Sequence, residues 1–326
     1  MSTNTRAERV ILVSMMKSGT HLITELLRSL GYRLHGHVRV RPETRPLFDT
    51  DTRWRMAEAV YDDDRLTQLK SDDEATFETA TDEAFDAIAW AWKLRLGMPL
   101  ERFYSTELVN TDLVRRAVRR TAGSAFAETP PGICWVLHDF DIRTIDGAFL
   151  REWTETGEPR IIFNYRDPRD ITLSMVNFLC ERTRGGLSSL NNLGAFSTIL
   201  RAKKSLDEQL SYALADESFP SPGDQFKRML WLLHHPAVYK ASYEELVGPQ
   251  GGGSAESQLR ATAGLVDFLG CAPEGSVEDI ARSLYNPDAF TFFKGRTGAW
   301  RDVYNEEHRR LADARFGEIL PMYGYT

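Results

Sequence analysis

The chain's first strong hydrophobic signal is Val10-Ile11-Leu12-Val13, a continuous apolar run with no polar alternation. Such a run is the pattern of a strand buried on both faces, as in a parallel sheet. Lys17-Ser18-Gly19-Thr20 breaks it. The next apolar positions, Leu22, Ile23, Leu26, Leu27 and Leu30, recur at helical spacing and stop at Gly31. Strand, glycine-containing turn and helix in that order open an α/β fold. Residues 133–137 and 161–165 repeat the short apolar pattern, and 237–242 follow Pro236 as a fourth run. Helical periodicity occupies 170–180, 257–269 and 305–320. Strands alternating with helices predict a central parallel sheet flanked by helices in three layers.

Two stretches interrupt this scheme. Residues 35–129 separate the first strand from the second by far more chain than one crossover needs. They hold acidic runs (Asp62-Asp63-Asp64 and Asp72-Asp73-Glu74) and an aromatic, helix-like segment at 85–96. We read 1–326 as one domain with a mainly helical insert at 35–129. Residues 182–223, rich in Gly, Ser and Asn, read as a mobile flap, and Gly251-Gly252-Gly253 as a surface loop. There is no internal repeat.

Composition narrows the function. A chain of 326 residues, 42% hydrophobic, buries enough surface for a large α/β domain. A net charge of −7 argues against nucleic acid and anionic membranes as partners. Any anionic ligand must then be held by a local basic cluster. Cys134, Cys180 and Cys271 are far apart, without metal-ligand spacing, and read as buried thiols; no metal site is expected. The apolar run at 10–16 is too short to span a bilayer and nothing later is longer, so the expectation is a cytoplasmic protein without a membrane span.

Three segments carry chemistry. The first, at 13–21, joins strand to helix. Backbone N–H groups at a helix start, with Gly19 allowing close approach, make a cradle for a phosphate-like anion. Lys17 adds a positive charge and Ser18 and Thr20 add hydroxyls. Alone, these four letters also fit a plain turn, and a nucleotide triphosphatase would instead show GxxxxGK[ST]. The second, Tyr165-Arg166-Asp167-Pro168-Arg169-Asp170, again leaves a strand and enters a helix, with Pro168 in the first turn and Asp167 as N-cap. Arg166 at the strand end and Ser174 in the helix can both face an anion there, although a surface Arg-Asp turn reads the same way. The third, at 292–301, places Lys294, Arg296 and Arg301 among Gly295 and Gly298, which suits an anion-binding lid or a simple basic loop.

Taken in order, these segments resemble the cytosolic-type sulfotransferase family, which uses 3′-phosphoadenosine 5′-phosphosulfate (PAPS). The loop is similar to that family's Pro-Lys-Ser-Gly-Thr-Thr-Trp phosphosulfate loop, with Met16 for the proline, His21 for the second threonine and Leu22 for the adenine-stacking tryptophan. Arg166 and Ser174 match the arginine and serine of its 3′-phosphate motif. Lys294, Gly295, Gly298 and Trp300 match its Arg-Lys-Gly-x-x-Gly-Asp-Trp segment, with Phe293 and Ala299 as departures and Arg296 as a neighbouring charge. Tyr243-Glu244-Glu245-Leu246 is similar to the Tyr-Glu-Asp-Leu whose tyrosine reaches adenine. His138, after Val136-Leu137 rather than Lys-Thr, stands where the family keeps its catalytic histidine.

The resemblance implies a P-loop-like α/β fold and PAPS as co-substrate. It implies a donor site of Lys17, Ser18, Gly19, Thr20, His21, Arg166, Ser174, Tyr243, Lys294, Gly295 and Arg296. Lys17 would neutralise the leaving oxygen and His138 would take the proton of an acceptor hydroxyl or amine, with Asp139 or Asp141 to orient it. The acceptor would be a small molecule or a glycan, and Trp54, Trp90, Trp92, Phe103 and Tyr104 of the insert are candidates to line its pocket or to form core. The alternatives are a P-loop nucleotide or nucleoside kinase and a non-catalytic nucleotide-binding protein. Oligomeric state is not readable from the sequence.

Overall fold

The computed structural model describes residues 6–35, 48–98, 110–180, 191–220, 222–285 and 295–326. Phe103, Tyr104, Phe293 and Lys294 lie outside the described residues. Five strands form one parallel sheet: β1 (Arg9–Ser14), β2 (Arg33–His35), β3 (Ile133–Leu137), β4 (Arg160–Tyr165) and β5 (Val238–Ser242), in the order β2-β3-β1-β4-β5. The α/β class and the flanked parallel sheet are as expected. Four strands coincide with the apolar runs. The fifth, β2, was not expected: it is three residues long, Arg-Leu-His, and among the described residues pairs with β3 alone.

Helices cover both faces. They are α1 (Thr20–Ser29), α2 (Thr50–Glu58), α3 (Asp63–Leu69), α4 (Glu74–Arg95), α5 (Thr111–Thr121), α6 (Gly147–Thr156), α7 (Pro168–Cys180), α8 (Asn191–Arg201), α9 (Leu206–Ala215), α10 (Gly223–His234), α11 (Tyr243–Leu246), α12 (Ala255–Leu269), α13 (Val277–Ser283), α14 (Trp300–Val303) and α15 (Glu306–Phe316). The alternation of side chains along each strand divides the core in two. Val10, Leu12, Cys134, Val136 and Ile162 point to α1, α12 and α13. Ile11, Val13, Trp135, Leu137, Ile161 and Phe163 point to the larger core under α4, α7 and α10. Phe85 and Trp92 of α4 belong to that core, and Trp92 meets Phe126 edge-on. Trp92 is therefore packed, while Trp54 and Trp90 are half-buried.

Two expectations need correcting. The stretch read as a flap contains α8 and α9, whose Leu193, Leu200, Leu210 and Leu214 are buried in the larger core. Gly251 is not at the surface of a loop: it is buried, and its carbonyl accepts the Thr297 N–H at 2.9 Å.

Sheet order places the site. The chain fills one side of β1 with β2 and β3, then crosses to the other side for β4 and β5, so β1 lies at a switch point. In open α/β sheets ligands gather beyond the carboxyl ends of strands at such a point. Val13 is paired with Leu137, Ser14 with Asn164 and Tyr165 with Ser242. The residues that follow these strands therefore emerge side by side: His138 after β3, the 15–19 loop after β1, Arg166 after β4 and Tyr243 after β5.

Candidate active site at the carboxyl edge of the sheet

The loop after β1 is braced from within. Ser14 Oγ lies 2.7 Å from Thr20 Oγ1 and donates to Asn164 Oδ1 at 2.8 Å. Ser18 Oγ lies 2.6 Å from Met15 O and 2.9 Å from Asn164 Oδ1, and Asn164 Nδ2 donates to Ala241 O at 3.0 Å. The hydroxyls of Ser18 and Thr20 thus turn inward and tie β1, β4 and β5 together. What the loop presents outward is backbone. The N–H groups of Gly19 and Thr20, at the start of α1, have no acceptor among the described residues. Lys17 and Gly19 both take positive φ, 64° and 84°. A lysine held there costs about 1–3 kcal/mol, the kind of strain kept at functional sites. Its ammonium stands 4.4 Å above the Phe178 ring of α7.

Glycine is obligatory at 19 for a second reason. A Cβ would lie 2.4 Å from Cδ2 of Tyr243. The buried Tyr243 ring carries the Arg166 guanidinium on it at 4.1 Å. Arg166 in turn reaches Lys17 O at 3.4 Å and Arg296 O at 2.7 Å, and sits 3.6 Å from the Asp170 carboxylate. It is only 8% exposed, yet its Nε has no hydrogen-bond partner among the described residues. A buried guanidinium N–H without an acceptor is costly unless a ligand supplies one. Ser174 lies further along α7, half-buried.

Asp170 organises the third segment. Its carboxylate accepts from Gly298 N at 2.7 Å and Trp300 N at 3.0 Å. Burial pushes that carboxyl above the usual range, with Arg166 opposing. Arg169 pairs with Asp167 at 2.8 Å, both buried, and stacks on Trp300. Gly295 begins the described part of this segment. The Arg296 side chain is 60% exposed and lies 3.4 Å from Asp302, so this residue meets Arg166 through its carbonyl, not its guanidinium. Leu22 is buried in the core under α1.

His138 closes the row on the β3 side. Its Nδ1 lies 2.9 Å from Ser14 O, an acceptor, so Nδ1 carries the proton and Nε2 the lone pair. The carbonyl of Ser14, not a carboxylate, thus orients the ring. Asp139 is engaged by Arg228 at 2.6 Å and Asp141 by Arg143 at 2.6 Å. Gln225 donates to the His138 carbonyl. Burial lowers the His138 pKa below the ordinary imidazole value, and Lys93 lowers it further against the Ser14 hydrogen bond. His21 is pushed down to about 4, by burial first and then by Lys17, Arg28 and His138. Both imidazoles are neutral at pH 7. Lys93, which contributes to that lowering, lies on α4 and was not singled out by the sequence.

Among the described residues no group of His, Cys, Asp or Glu can hold a metal ion, and no helix is long and apolar enough to cross a membrane. The described residues define a three-layer α/β protein whose strand-to-helix corners converge on one edge of a parallel sheet. No known family profile and no curated protein matches the chain. Among solved structures it is similar to mouse sulfotransferase SULT7A1 complexed with PAP, at 16% identity, 97% of this chain, 85% of that one and a TM-score of 0.49. It is also similar to retinol dehydratase in complex with retinol and PAP, at 16% identity, 96% of this chain, 81% of that one and a TM-score of 0.47. Both likenesses are too weak to carry a conclusion about chemistry, which rests on the residues.

Proposed function

We propose that this chain is a PAPS-dependent sulfotransferase, moving the sulfuryl group of PAPS to a hydroxyl or amine of a small-molecule or glycan acceptor. The observation that carries the reading is the carboxyl edge. A helix-start cradle with two N–H groups open among the described residues sits beside a buried guanidinium whose Nε has no partner among them, and a neutral imidazole stands on the opposite side of the cradle. Two anion-seeking points on neighbouring strands suit a nucleotide with phosphate groups at both its 5′ and 3′ positions.

In this reading the Gly19 and Thr20 N–H groups hold the 5′-phosphosulfate and Arg166, with Ser174, holds the 3′-phosphate. Ser18 braces the loop through its hydroxyl. Tyr243 supports both anion points, and the 295–300 segment, with Lys294 before it, covers the nucleotide. Lys17 neutralises the bridging oxygen as the sulfur–oxygen bond breaks, because charge stabilisation where charge develops lowers the barrier. His138 Nε2 accepts the acceptor's proton, a contribution of about 10²–10⁴-fold. His21, neutral, lines the mouth. The 35–129 helices shape the acceptor side.

Calorimetry with PAP, the desulfated product, tests the reading. Wild type should take up PAP, and Arg166→Ala should weaken PAP by at least about tenfold more than adenosine 5′-phosphosulfate, which lacks the 3′-phosphate. Equal weakening of both would remove the 3′ assignment, and no uptake of PAP would overturn the whole reading. Turnover of radiolabelled PAPS against an acceptor panel then separates an enzyme from a binding protein.

A further inference from the structure

Beyond α15 the chain makes one 3₁₀ turn, Pro321–Tyr323, and Gly324 ends it with a left-handed φ of 78°. Gly324 N donates to Pro321 O at 3.1 Å and Tyr325 N to Leu320 O at 2.9 Å, a pair of bonds that reverses the chain. Tyr323 anchors the reversal. It is buried, its hydroxyl donates to Phe226 O at 2.9 Å, and its ring meets that of Tyr165 edge-on. Tyr325 and Thr326 are thereby brought to the corner after β4. There the Tyr325 hydroxyl donates to Glu244 Oε2 at 2.9 Å, and Arg169 Nη2 donates to Thr326 O at 2.9 Å.

Both contacts fall on groups that frame Arg166. With its other oxygen, Oε1, Glu244 accepts the N–H of Asp167 at 3.2 Å, from the peptide immediately after Arg166. Tyr243, one residue before Glu244, carries the Arg166 guanidinium on its ring. Consecutive residues of α11 thus hold Arg166 by its side chain and by its backbone. The Asp167 carboxylate is itself held by Arg169 at 2.8 Å and by Trp300 Nε1 at 3.2 Å. A buried network satisfied from several elements leaves the group seated on it little room to relax. Burial raises the Glu244 carboxyl above the usual range, opposed by backbone N–H groups, Arg166 and Tyr325. Without the Tyr325 hydroxyl, Oε2 would lose its one side-chain donor among the described residues.

We propose that Tyr325 is a positioning residue of the 3′-phosphate corner: through Glu244 it fixes the peptide that follows Arg166, and so sharpens the preference for nucleotides that carry a 3′-phosphate. This rests on the sulfuryl-transfer reading and extends the donor site to the 321–326 turn. Tyr325 touches neither nucleotide nor acceptor in this role. It acts by keeping the Arg166 guanidinium where a phosphate can meet it, so its loss falls on the 3′ end of the ligand and spares the 5′ end held by the cradle after β1.

Calorimetry of the full chain with PAP and with adenosine 5′-phosphosulfate reads this role without knowledge of the acceptor. Tyr325→Phe removes one hydroxyl and keeps the ring against Tyr165. It should weaken PAP by about fivefold or more, as expected when a hydrogen bond to a charged group is lost, and leave adenosine 5′-phosphosulfate within about twofold. In a Glu244→Ala background the same change should weaken PAP by less than about twofold further, because Tyr325 acts through that carboxylate. A merely structural tyrosine would lower both affinities alike, or neither, or would keep its full effect in the Glu244→Ala background; any of these results overturns the proposal. Should Tyr325→Phe fail to fold, Gly324→Ala decides. A Cβ there meets nothing within 4 Å, so the change strains only the left-handed turn that aims Tyr325, and the same selective loss of PAP is expected. Failure of wild type to bind PAP would count against the underlying reading, whereas a selective loss of PAP in Arg166→Ala with none in Tyr325→Phe would count against Tyr325 alone.

Discussion

Lys17 combines a strained backbone with the leaving-group role proposed for its ammonium, and the two separate in one substitution. Lys17→Gly relieves the positive φ of 64° while removing the ammonium. Glycine also loses more chain entropy on folding, so the net change in stability should lie within about 1 kcal/mol of zero. Sulfuryl transfer should fall by about 10²-fold or more, the usual loss when a group aimed at developing charge is deleted. Thermal unfolding and PAPS turnover measured on the same sample check both halves; unchanged turnover would remove Lys17 from the chemistry. At this scale the sequence was informative about backbone and charge: a lysine and a glycine between strand and helix carry their meaning locally. It was silent about direction. The inward turn of Ser18 depends on Asn164 and that of Thr20 on Ser14, and the outward turn of Arg296 depends on Asp302. Lys93 was invisible for the same reason, since only the docking of a distant helix buries it.

Among elements, the 295–300 segment is pinned to Asp170 on α7, to Gly251 after α11 and, through the Arg296 carbonyl, to Arg166. A Cβ at Gly251 would lie 2.1 Å from Val247 Cγ2 and 2.3 Å from Gly295 O, and the second contact, with backbone, cannot be relieved without moving the segment. Gly251→Ala should therefore weaken PAP while leaving the cradle after β1 intact. The expected signature is a loss of PAP affinity greater than that of adenosine 5′-phosphosulfate, read by calorimetry; equal affinity for PAP in the variant and wild type would argue that the segment does not reach the nucleotide. The strands β1, β3, β4 and β5 were legible because each is a short apolar run bounded by polar turns. Strand β2 was not, because an edge strand of three residues has no run to display. Helices α8 and α9 were obscured by Gly, Ser and Asn, although Leu193, Leu200, Leu210 and Leu214 supply an apolar face. Composition misled there where periodicity did not.

For the molecule as a whole, neutral buried imidazoles make stability depend on pH. Unfolded His21 takes up a proton near 6.5, whereas folded His21 does so only near 4. Between those values the unfolded chain binds more protons, so this contribution is complete above about 6.5 and is lost as pH falls toward 4. His138, lowered by burial, acts in the same direction. Asp170 and Glu244, whose carboxyls burial raises, act in the opposite direction, so the histidine term is isolated by comparison with variants. His21→Asn and His138→Asn should each flatten the decline in melting temperature on acidification. A slope identical to that of wild type in both would show that these rings titrate normally.

The hydrogen bond between the His138 ring and the Ser14 carbonyl has a consequence beyond holding a tautomer. Ser14 is the last residue of the central strand, immediately ahead of the cradle, so the base of the proposed reaction is registered to the proposed donor seat and not to the acceptor's wall. Remodelling of the helices around the incoming nucleophile would leave donor and base aligned with each other. If the proposed roles hold, acceptor preference can be altered in those helices without disturbing the alignment of donor and base.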